Sequence, residues 1–416
     1  MTDSFGRTLT LGYDSANRLG SLTDPAGHAT TYQYDAAGNL SQVTFPDGST
    51  RQYKYANTAF PYALTSLFDE NQIEFSTWTY DDSGRAWRDV IAGGITSTLN
   101  FADPSSVAVT DALGAVHTYA FGKKNAAILA NNEAVTCGAG CPGSTTVTSY
   151  DANGNVSQVS VNGQITTYGY DLTRNLETTH TEASGTPQAR TITTTWHPTF
   201  NLPASVTEPL RTTNFGYDAS GNLTSKTVTA AGKTRKWTYT YASFGRMLTS
   251  VDPDNNTRTW TYDPVGGTGC QTTSGTCHGD LKTVSTAKGQ VTRYNSYDEN
   301  GNVLSMTDPN GKVTTFTWDA RNRMKTRQAG TDLTTFDYWP TGLLKQVTQP
   351  DSSWVHYDYD AAHRLTGISD SHGNSILYKL DNAGNHQQET VSDPAGQLSA
   401  SMASISASQN TTGGAQ

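Results

Sequence analysis

The sequence is poor in both charged and hydrophobic residues. Charged residues make up 16% of its 416 residues and hydrophobic residues 35%, whereas about 25% and 45% are typical of soluble globular proteins. A chain of this length ordinarily forms two or three compact domains, but so little apolar material does not indicate several packed cores. Thr, Ser, Gly, Asn and Tyr fill the gap, and these residue types favour strands and tight turns over helices.

Basic charge and long hydrophobic runs are also scarce. The net charge is -9, and because nucleic-acid affinity rests largely on Lys and Arg, nucleic acid is not an expected partner. No stretch approaches the roughly 18 apolar residues of a membrane helix, so membrane insertion is not expected. The opening MTDSFGRTLT lacks the basic-then-apolar pattern of a signal peptide. We expect either export without a signal peptide or an N-terminus upstream of residue 1.

Patterns that carry catalysis are missing as well. The nine His residues are scattered, most Asp residues stand in turns where capping explains them, and no Gly-rich phosphate loop follows a buried strand. We therefore predict no catalytic, cofactor-binding or metal site, and no enzyme activity. A zinc site on Cys270, Cys277 and His278 is a weak alternative, because it lacks a fourth ligand.

What the sequence does contain is an internal repeat. The stretch TTYQYDAAGNLSQVTFPDGST, residues 30–50, is followed by RQYKY, which opens the same pattern again. Most steps between repeats are 20 or 21 residues, and the longer steps carry insertions. Each repeat is anchored on the Tyr of a Tyr-Asp dipeptide or on the residue that stands in its place. The seventeen anchors are Tyr13, Tyr34, Tyr55, Tyr80, Phe101, Phe121, Tyr150, Tyr170, Trp196, Tyr217, Tyr241, Tyr262, Tyr297, Trp318, Tyr338, Tyr359 and Leu380.

One unit shows how the repeat becomes strands and turns. Residues 30–34 alternate larger and smaller side chains, which is the period-two pattern of a half-buried strand. We predict that a turn follows, because Asp35 can accept hydrogen bonds from the amides ahead of it and Gly38 tolerates positive φ. This turn is here named the Tyr-Asp turn. Residues 40–45 make a second strand, and Pro-Asp-Gly at 46–48 makes the inter-repeat turn. Each unit is thus two strands and two turns.

Both turns recur along the chain. YDASGN at residues 217–222 and YDENGN at 297–302 restate the Tyr-Asp turn, while DPAG at 24–27 and DPNG at 308–311 restate the inter-repeat turn. In these motifs the sequence resembles the RHS or YD repeat family, found in bacterial Rhs polymorphic toxins, insecticidal toxin complexes and the teneurins of animals. The resemblance covers about residues 3–398.

The resemblance implies an all-β fold in which antiparallel hairpins form one continuous curled or spiral sheet, an open partial hollow shell. We assign residues 1–398 to the repeat array, with cysteine-bearing insertions at about 125–146 and 264–280, and residues 399–416 to a polar low-complexity tail. An independent size argument agrees with this fold. About 34 strands spaced about 4.8 Å apart give a contour of roughly 160 Å, and a sheet that long must roll up.

The anchor tyrosines have two possible roles. Packing within the wall is favoured, with the Leu or Val of the intervening strand lying between successive anchors. The alternative is that they form stacking platforms for sugars.

The four cysteines lie in the two insertions. Cys137 and Cys141 fall at an inter-repeat turn, and Cys270 and Cys277 at a Tyr-Asp turn. Because these turns lie at opposite ends of the strands, we expect one disulfide within each insertion. Such pairs favour an oxidising compartment.

Two functions from different classes follow. The first is structural: the chain is the shell portion of an Rhs-type toxin or surface protein, a wall that encapsulates or presents a toxin cargo, with that cargo or other RHS-shell segments as partners. The alternative is an extracellular adhesive surface that binds glycans. Both predict a secreted or cell-surface protein, and no cofactor is expected.

The ends of the sheet bear on association. We expect the sheet to stay open, with unpaired edge strands near residues 7–13 and 376–380. Exposed edges invite pairing, so we predict that the isolated chain self-associates through its ends and encloses nothing by itself.

Overall fold

The computed structural model describes residues 1–124, 127–136 and 143–394. Within them the chain is almost entirely β, with thirty-six strands and one 3-10 turn at Ser243–Gly245. β-Branched and aromatic residues are frequent in the strands, and Gly, Asn, Asp and Pro in the connections, as their conformational preferences require. Cys137 and Cys141 lie outside the described residues, so their bridge stays a prediction.

The strands are numbered in chain order. They are β1 (Thr10–Tyr13), β2 (Leu19–Thr23), β3 (Ala29–Tyr34), β4 (Leu40–Thr44), β5 (Thr50–Lys54), β6 (Ser66–Phe68), β7 (Glu74–Tyr80), β8 (Ala86–Ile91), β9 (Ile95–Asn100), β10 (Ser106–Thr110), β11 (Val116–Lys124), β12 (Ala127–Thr136), β13 (Ser144–Tyr150), β14 (Val156–Val161), β15 (Gln164–Asp171), β16 (Leu176–Glu182), β17 (Arg190–Trp196), β18 (Pro203–Glu208), β19 (Arg211–Tyr217), β20 (Leu223–Ala230), β21 (Lys233–Tyr241), β22 (Met247–Val251), β23 (Thr257–Tyr262), β24 (Val265–Thr268), β25 (Thr276–His278), β26 (Leu281–Ser285), β27 (Val291–Tyr297), β28 (Val303–Thr307), β29 (Val313–Trp318), β30 (Met324–Ala329), β31 (Asp332–Tyr338), β32 (Leu344–Thr348), β33 (Trp354–Tyr359), β34 (Leu365–Asp370), β35 (Ser375–Leu380) and β36 (His386–Ser392).

Thirty-four of these strands form one continuous antiparallel sheet. Each strand pairs with its neighbours along the chain, from β1 and β2 at one end to β35 and β36 at the other. β24 and β25 form a separate small hairpin, and β23 pairs directly with β26. Among the described strands, β1 and β36 each have a single partner, so the sheet is not closed into a barrel. The predicted all-β array of antiparallel hairpins is confirmed.

The Tyr-Asp turns have a common geometry. In the turn after Tyr34, the amide of Asp35 donates to the carbonyl of Asn39 at 2.9 Å, and the amide of Gly38 donates to the carbonyl of Asp35 at 3.0 Å. Gly38 has a φ of 91°, which a residue without a Cβ adopts readily. The ladder shifts by one residue at the anchor, so that Tyr34 pairs with Leu40 of the next strand. This pairing places the aliphatic neighbour predicted between anchors.

The two faces of the sheet differ in chemistry. On one face, hydroxyls of neighbouring strands meet, as between Thr195 and Ser205, with 2.7 Å between their Oγ atoms. Thr240 and Thr249 meet in the same way at 2.6 Å. The anchors follow such threonines directly in sequence, as Tyr241 follows Thr240, and successive strand residues point to opposite faces. One face is therefore rich in hydroxyls and the other in aromatic side chains.

The wall is one sheet thick and has little buried core. Among the described residues, eight hydrophobic side chains are buried. Four of them, Val355, Tyr357, Ile368 and Ile376, form a cluster near the C-terminal end of the sheet. None of the described segments is an apolar helix of membrane-spanning length. Stability therefore depends on contacts between neighbouring strands, which add along a repeat array.

The C-terminal edge differs from the prediction that residues 376–380 form it. Strand β36 pairs along the whole length of β35, so the edge is one strand further along the chain. A Tyr-Asp type turn causes this, because the amide of Asp381 donates to the carbonyl of Asn385 at 2.9 Å and reverses the chain after Leu380. Every residue of β36 is exposed.

Candidate functional site

Eight of the Tyr-Asp turns are held in the same way by the aspartate that follows the anchor. Oδ1 of Asp218 accepts hydrogen bonds from the amides of Ser220 and Asn222, and Oδ2 accepts one from Nδ2 of Asn222, all at 2.9 Å. The bonds from Asn222 stabilise the carboxylate and hold the pKa of Asp218 below its ordinary value. The same pattern, with either an Asn or an Arg side chain donating to Oδ2, recurs at Asp14, Asp35, Asp81, Asp151, Asp319, Asp360 and Asp381.

The anchors tie each Tyr-Asp turn to the one before it. The hydroxyl of Tyr217 donates to the carbonyl of Pro203 at 2.8 Å, and Pro203 is the first residue of the preceding strand. Nε1 of Trp318 donates to the carbonyl of Val303 at 2.9 Å in the same way. The contact recurs for Tyr34, Tyr80, Tyr150, Trp196, Tyr241, Tyr262, Tyr297 and Tyr338. Because these polar groups are engaged within the sheet, the geometry favours wall packing over sugar stacking for these anchors.

Seven of the seventeen predicted anchors depart from this pattern. Phe101, Phe121 and Leu380 have no polar side-chain group, and Tyr13, Tyr55, Tyr170 and Tyr359 make no such contact with the described residues. Tyr13 lies in the edge strand β1 and is 60% exposed. Within the described part of the chain, the hydroxyls of Tyr170 and Tyr359 have no hydrogen-bond acceptor. Burial raises the pKa of both of these hydroxyls.

The sheet meets itself along a seam. Inter-repeat turns 24–27 and 45–48 lie against Tyr-Asp turns 298–302 and 319–323. The two turn types lie at opposite ends of the strands, so this contact means that the sheet coils as a spiral, with its last coil beside its first. Asn300 shows the contact directly: its Oδ1 accepts from the amide of Ala26 at 3.1 Å, and its Nδ2 donates to Asp24 Oδ2 at 2.6 Å.

Charged residues concentrate at the centre of the seam. Nη2 of Arg323 lies 3.0 Å from Oδ2 of Asp47, and Nη1 of Arg321 lies 3.4 Å from the same oxygen. The Arg321 guanidinium also stacks 4.3 Å from the ring centre of Phe45. Burial disfavours the charge on Asp47, but hydrogen bonds from Ser49 and the nearby Arg321 keep its pKa below the ordinary value.

The seam also covers two carboxylates. Glu70 has no exposed side-chain surface and accepts a hydrogen bond from Arg51 Nη2 at 2.9 Å. Asp69 is 2% exposed, and its Oδ2 lies 2.9 Å from Nε2 of His363. The His363 ring packs against Phe75, with 4.6 Å between ring centres. Buried carboxylates require such partners. The Glu70 partner comes from the adjacent repeat, whereas the Asp69–His363 contact joins residues 294 positions apart and so helps to specify which turns meet.

The second insertion lies at the start of the seam. Cys270 and Cys277 are joined in a disulfide, with 5.2 Å between Cα atoms, beside hairpin β24–β25. Both sulfurs are therefore unavailable for the zinc alternative. The amide of Tyr297 donates to the carbonyl of Gln271 at 2.9 Å, and the amide of Ser274 donates to Glu299 Oε1 at 2.6 Å. The insertion is thus folded onto the next Tyr-Asp turn.

The same insertion contacts the N-terminus. His278 is 5% exposed; its Nδ1 lies 3.0 Å from the carbonyl oxygen of Phe5, and its Nε2 lies 3.3 Å from Glu299 Oε2. Arg7 forms an ion pair with Asp280. Sequence reasoning missed these seam residues, because their partners are far along the chain and outside the period of the repeat.

Comparison with known families agrees with this architecture. The RHS Repeat family matches residues 13–50, 150–187, 217–257, 278–332 in two overlapping copies, and 338–375, which together are just over half of the chain. The chain belongs to the RHS repeat family. Its repeats are thus RHS repeats, and the seam joins RHS repeats from the two ends of the array. No curated protein matches the chain.

The RHS array is similar to solved Tc toxin structures. It aligns with the crystal structure of TcdB2-TccC3-Cdc42 at a TM-score of 0.64 and 13% identity, over 93% of this chain and 23% of that one. For TcdB2-TccC3 without the hypervariable C-terminal region, the TM-score is 0.63 and the identity 14%, over 93% and 23%. For the Tc holotoxin pore of Photorhabdus luminescens, the values are 0.60 and 14%, over 94% and 23%. Identities this low show a shared fold alone, and the chain spans less than a quarter of each of these structures.

Proposed function

We propose that this RHS array is a portion of the wall of a toxin-associated shell, and that the complete shell encapsulates or presents a polypeptide cargo. The observation that carries the proposal is the seam, which holds the one-layer sheet in a coil. The coiled sheet is a wall with two chemically different faces. A sheet that served only as a flat binding surface would not need charged contacts between its two ends. Its role in this proposal is structural and not catalytic.

Localisation and partners follow from the same proposal. The disulfide between Cys270 and Cys277 is consistent with an oxidising compartment, so we place the protein in the secreted or cell-surface class. Because the chain spans less than a quarter of the similar toxin structures, its proposed partners are the cargo and further RHS-shell segments.

Limited proteolysis tests the proposal. The array is expressed together with the coding sequence that adjoins it, and the purified product is treated with trypsin. We expect a polypeptide segment outside the array to resist cleavage while the seam is intact, and to be cut at least several-fold faster in an Asp47→Ala and Arg321→Ala double variant. Equal cleavage rates in the two proteins would contradict enclosure by the wall.

A further inference from the structure

The second insertion holds the N-terminal turn, residues 3–7. His278 is 5% exposed, and its Nδ1 lies 3.0 Å from the carbonyl oxygen of Phe5. Two residues further along, Asp280 forms an ion pair with Arg7, whose side chain is 18% exposed. Both contacts join positions 273 residues apart. The insertion therefore closes the start of the seam.

The Phe5 ring lies between the insertion and a neighbouring turn. It packs edge-on against Phe244, with 5.4 Å between ring centres, and the Arg246 guanidinium lies 5.8 Å from its centre. Nη1 of Arg246 donates to the carbonyl of Gly279 at 3.0 Å. A Cβ on Gly279 would lie 3.1 Å from the Phe5 ring and 2.7 Å from Arg246. The contact therefore requires the backbone of the insertion to stay in one place.

The insertion is anchored on its other side within the loop that the disulfide closes. The carbonyl of Gln271 accepts a hydrogen bond from the amide of Tyr297 at 2.9 Å. The amide of Ser274 donates to Oε1 of Glu299 at 2.6 Å. The residues that hold the N-terminal turn follow Cys277 directly. The disulfide thus joins the anchored loop to the segment that holds the N-terminal turn.

The order of the insertion depends on this cross-link. Hairpin β24–β25 has two paired positions, and every residue of β24 is exposed. A two-stranded hairpin is marginal by itself in water. Five glycines of the insertion have positive φ, at positions 266, 267, 269, 275 and 279. Because glycine loses more backbone freedom on ordering than any other residue, the cross-link offsets a large entropic cost by restricting the unfolded segment.

The two sulfur atoms differ in accessibility. Cys277 is 1% exposed and precedes the buried His278, whereas Cys270 is partly exposed. A thiolate attacks the sulfur that it can reach, which here is Sγ of Cys270. Once the bond is broken, the two sulfur atoms need a larger separation, and the close-packed site of Cys277 has to rearrange.

We propose that the Cys270–Cys277 disulfide is a redox lock on the N-terminal turn, and that a dithiol reductant opens it. The lock is closed in an oxidising compartment and open in a reducing one. When it opens, His278 and Asp280 lose their fixed positions and release the N-terminal turn, so that the seam is opened at its start. This lock goes beyond the wall function and does not depend on enclosure of a cargo.

The chemistry is thiol–disulfide exchange in two steps. A thiolate of the reductant bonds to Sγ of Cys270 and expels the Cys277 thiolate, which takes a proton from solvent. The second thiolate of the reductant then attacks the reductant sulfur in this mixed disulfide and expels the Cys270 thiolate, which is protonated in turn. The reductant loses two electrons and two protons and becomes a disulfide, and the protein gains two thiols.

Limited trypsin digestion of the full chain, with and without dithiothreitol, tests the proposal. Cleavage after Arg7 is followed by mass spectrometry of residues 1–7. Because proteolysis follows the population of the open form, we expect cleavage after Arg7 to be at least about ten-fold faster once the disulfide is reduced. Cleavage after Arg190, which pairs only between adjacent strands, should keep its rate. Unchanged cleavage at Arg7 overturns the proposal, and so does equal acceleration at Arg190, which would show general unfolding.

Matched cysteine variants identify the disulfide responsible. Cys270→Ser with Cys277→Ser should be cleaved rapidly at Arg7 both with and without dithiothreitol. Cys137→Ser with Cys141→Ser replaces the other two cysteines of the chain and should keep the full response to the reductant. Circular dichroism shows that each variant retains its β-structure. A response that is lost in the second variant, or retained in the first, rejects the assignment.

A further variant tests the contact through which the lock acts. Asp280→Asn keeps the disulfide but removes the carboxylate that pairs with Arg7, so its oxidised form should be cleaved at Arg7 several-fold faster than the oxidised wild type. The control is Asp263→Asn, because Asp263 pairs with Lys282 and not with the N-terminal turn; it should be cleaved as the wild type is. Equal cleavage of Asp280→Asn and the wild type would show that the insertion does not hold the turn.

Discussion

At the level of single residues, the wall rests on hydrogen bonds made by the Tyr-Asp dipeptide. The aspartate fixes its own turn, as Asp218 does through Ser220 and Asn222. The tyrosine fixes the spacing between turns, as Tyr217 does through the carbonyl of Pro203. The repeats that make both contacts are therefore held both internally and to their predecessors; they are those anchored at Tyr34, Tyr80, Tyr150, Tyr217 and Trp318.

The tyrosine hydroxyl contact can be tested at Tyr297, which is 6% exposed and donates to the carbonyl of Leu281 at 2.5 Å. Tyr297→Phe leaves that carbonyl without its donor, and should destabilise the array by about 1 kcal/mol, measured as a lower urea midpoint. Tyr13→Phe is the control. Because Tyr13 is 60% exposed, this substitution should have no measurable effect on the urea midpoint. Equal midpoint shifts in the two variants would show that the hydroxyl contact is not the cause.

The aspartate contacts predict that the stability of the fold depends on pH. The amide and side chain of Asn39 hold the pKa of Asp35 below its model-peptide value, and those of Asn222 do the same for Asp218. A lowered pKa in the folded state stabilises the protein above the unfolded-state pKa of about 3.9, and that stabilisation is lost as pH falls through the folded-state value. Urea midpoints should therefore be constant from pH 7 to 5 and fall below pH 4. The urea midpoint of Asp218→Asn should be lower than that of the wild type at pH 7, and the difference between the two proteins should be smaller at pH 2. An equal difference at both pH values would refute this.

At the level of elements, the hairpin is the unit that the sequence predicts well, because its causes are local. Asp35 and Gly38 lie within one turn of each other and fix it without help from distant residues. Hairpin β24–β25 was not predicted beyond its disulfide, since its order depends on Tyr297 and Glu299 in another repeat. The edge strand was misplaced although Asp381 and Gly384 carry the turn motif that precedes β36.

The disulfide-bearing insertion gives an element-level prediction. Replacement of Cys270 and Cys277 by Ser removes a cross-link across a short loop, for which the chain-entropy relation gives about 2.5 kcal/mol. The effect should be local: hydrogen exchange should speed up for the amide of Tyr297, which donates to Gln271, and stay unchanged in the distant β18–β19 hairpin. Unchanged exchange at Tyr297 would mean that the insertion keeps its fold without the bridge.

At the level of the whole molecule, the seam decides the shape. The sequence predicted a curled sheet, from the family resemblance and independently from the strand number, but it could not predict which turns meet. Arg321 and Asp47 are 274 residues apart, and nothing in the period of the repeat connects them. The two residues can pair only when the coil brings the two rims of the sheet together.

Arg321→Ala should open the seam. The change removes hydrogen bonds to Asp47, Ser49 and Pro340 and should cost about 2 kcal/mol of seam stability. Small-angle X-ray scattering should then show a larger radius of gyration, more so at high salt. The control is Arg190→Ala, because Arg190 also pairs with two carboxylates, Glu182 and Glu208, but only between adjacent strands. Identical scattering from both variants would show that the seam does not hold the spiral.

The open ends give a prediction about association. Among the described strands, β1 and β36 each pair on one side only, although Thr2 forms a bridge with Thr8 just before β1. Such edges invite pairing, and few charges oppose it: β1 carries no charged residue, and β36 carries a single carboxylate, Glu389. The isolated chain should self-associate at high concentration, as measured by light scattering. Gln387→Lys with Gln388→Lys should reduce that association by adding charge at the edge. A wild-type chain that stays a monodisperse monomer would contradict the prediction.

The seam also determines the order in which the protein can be completed on the ribosome. Its hydrogen bonds join residues 272 to 294 positions apart, whereas each hairpin joins near neighbours and can form as soon as it is synthesised. At about 5 to 20 residues per second, the turn at Asp47 waits roughly 15 to 55 s for Arg321 to be made. During that interval the nascent chain is an uncoiled ribbon with its charged rim exposed to chaperones and to other nascent chains. The lifetime of this vulnerable stage is set by the speed of translation and not by the stability of the finished spiral.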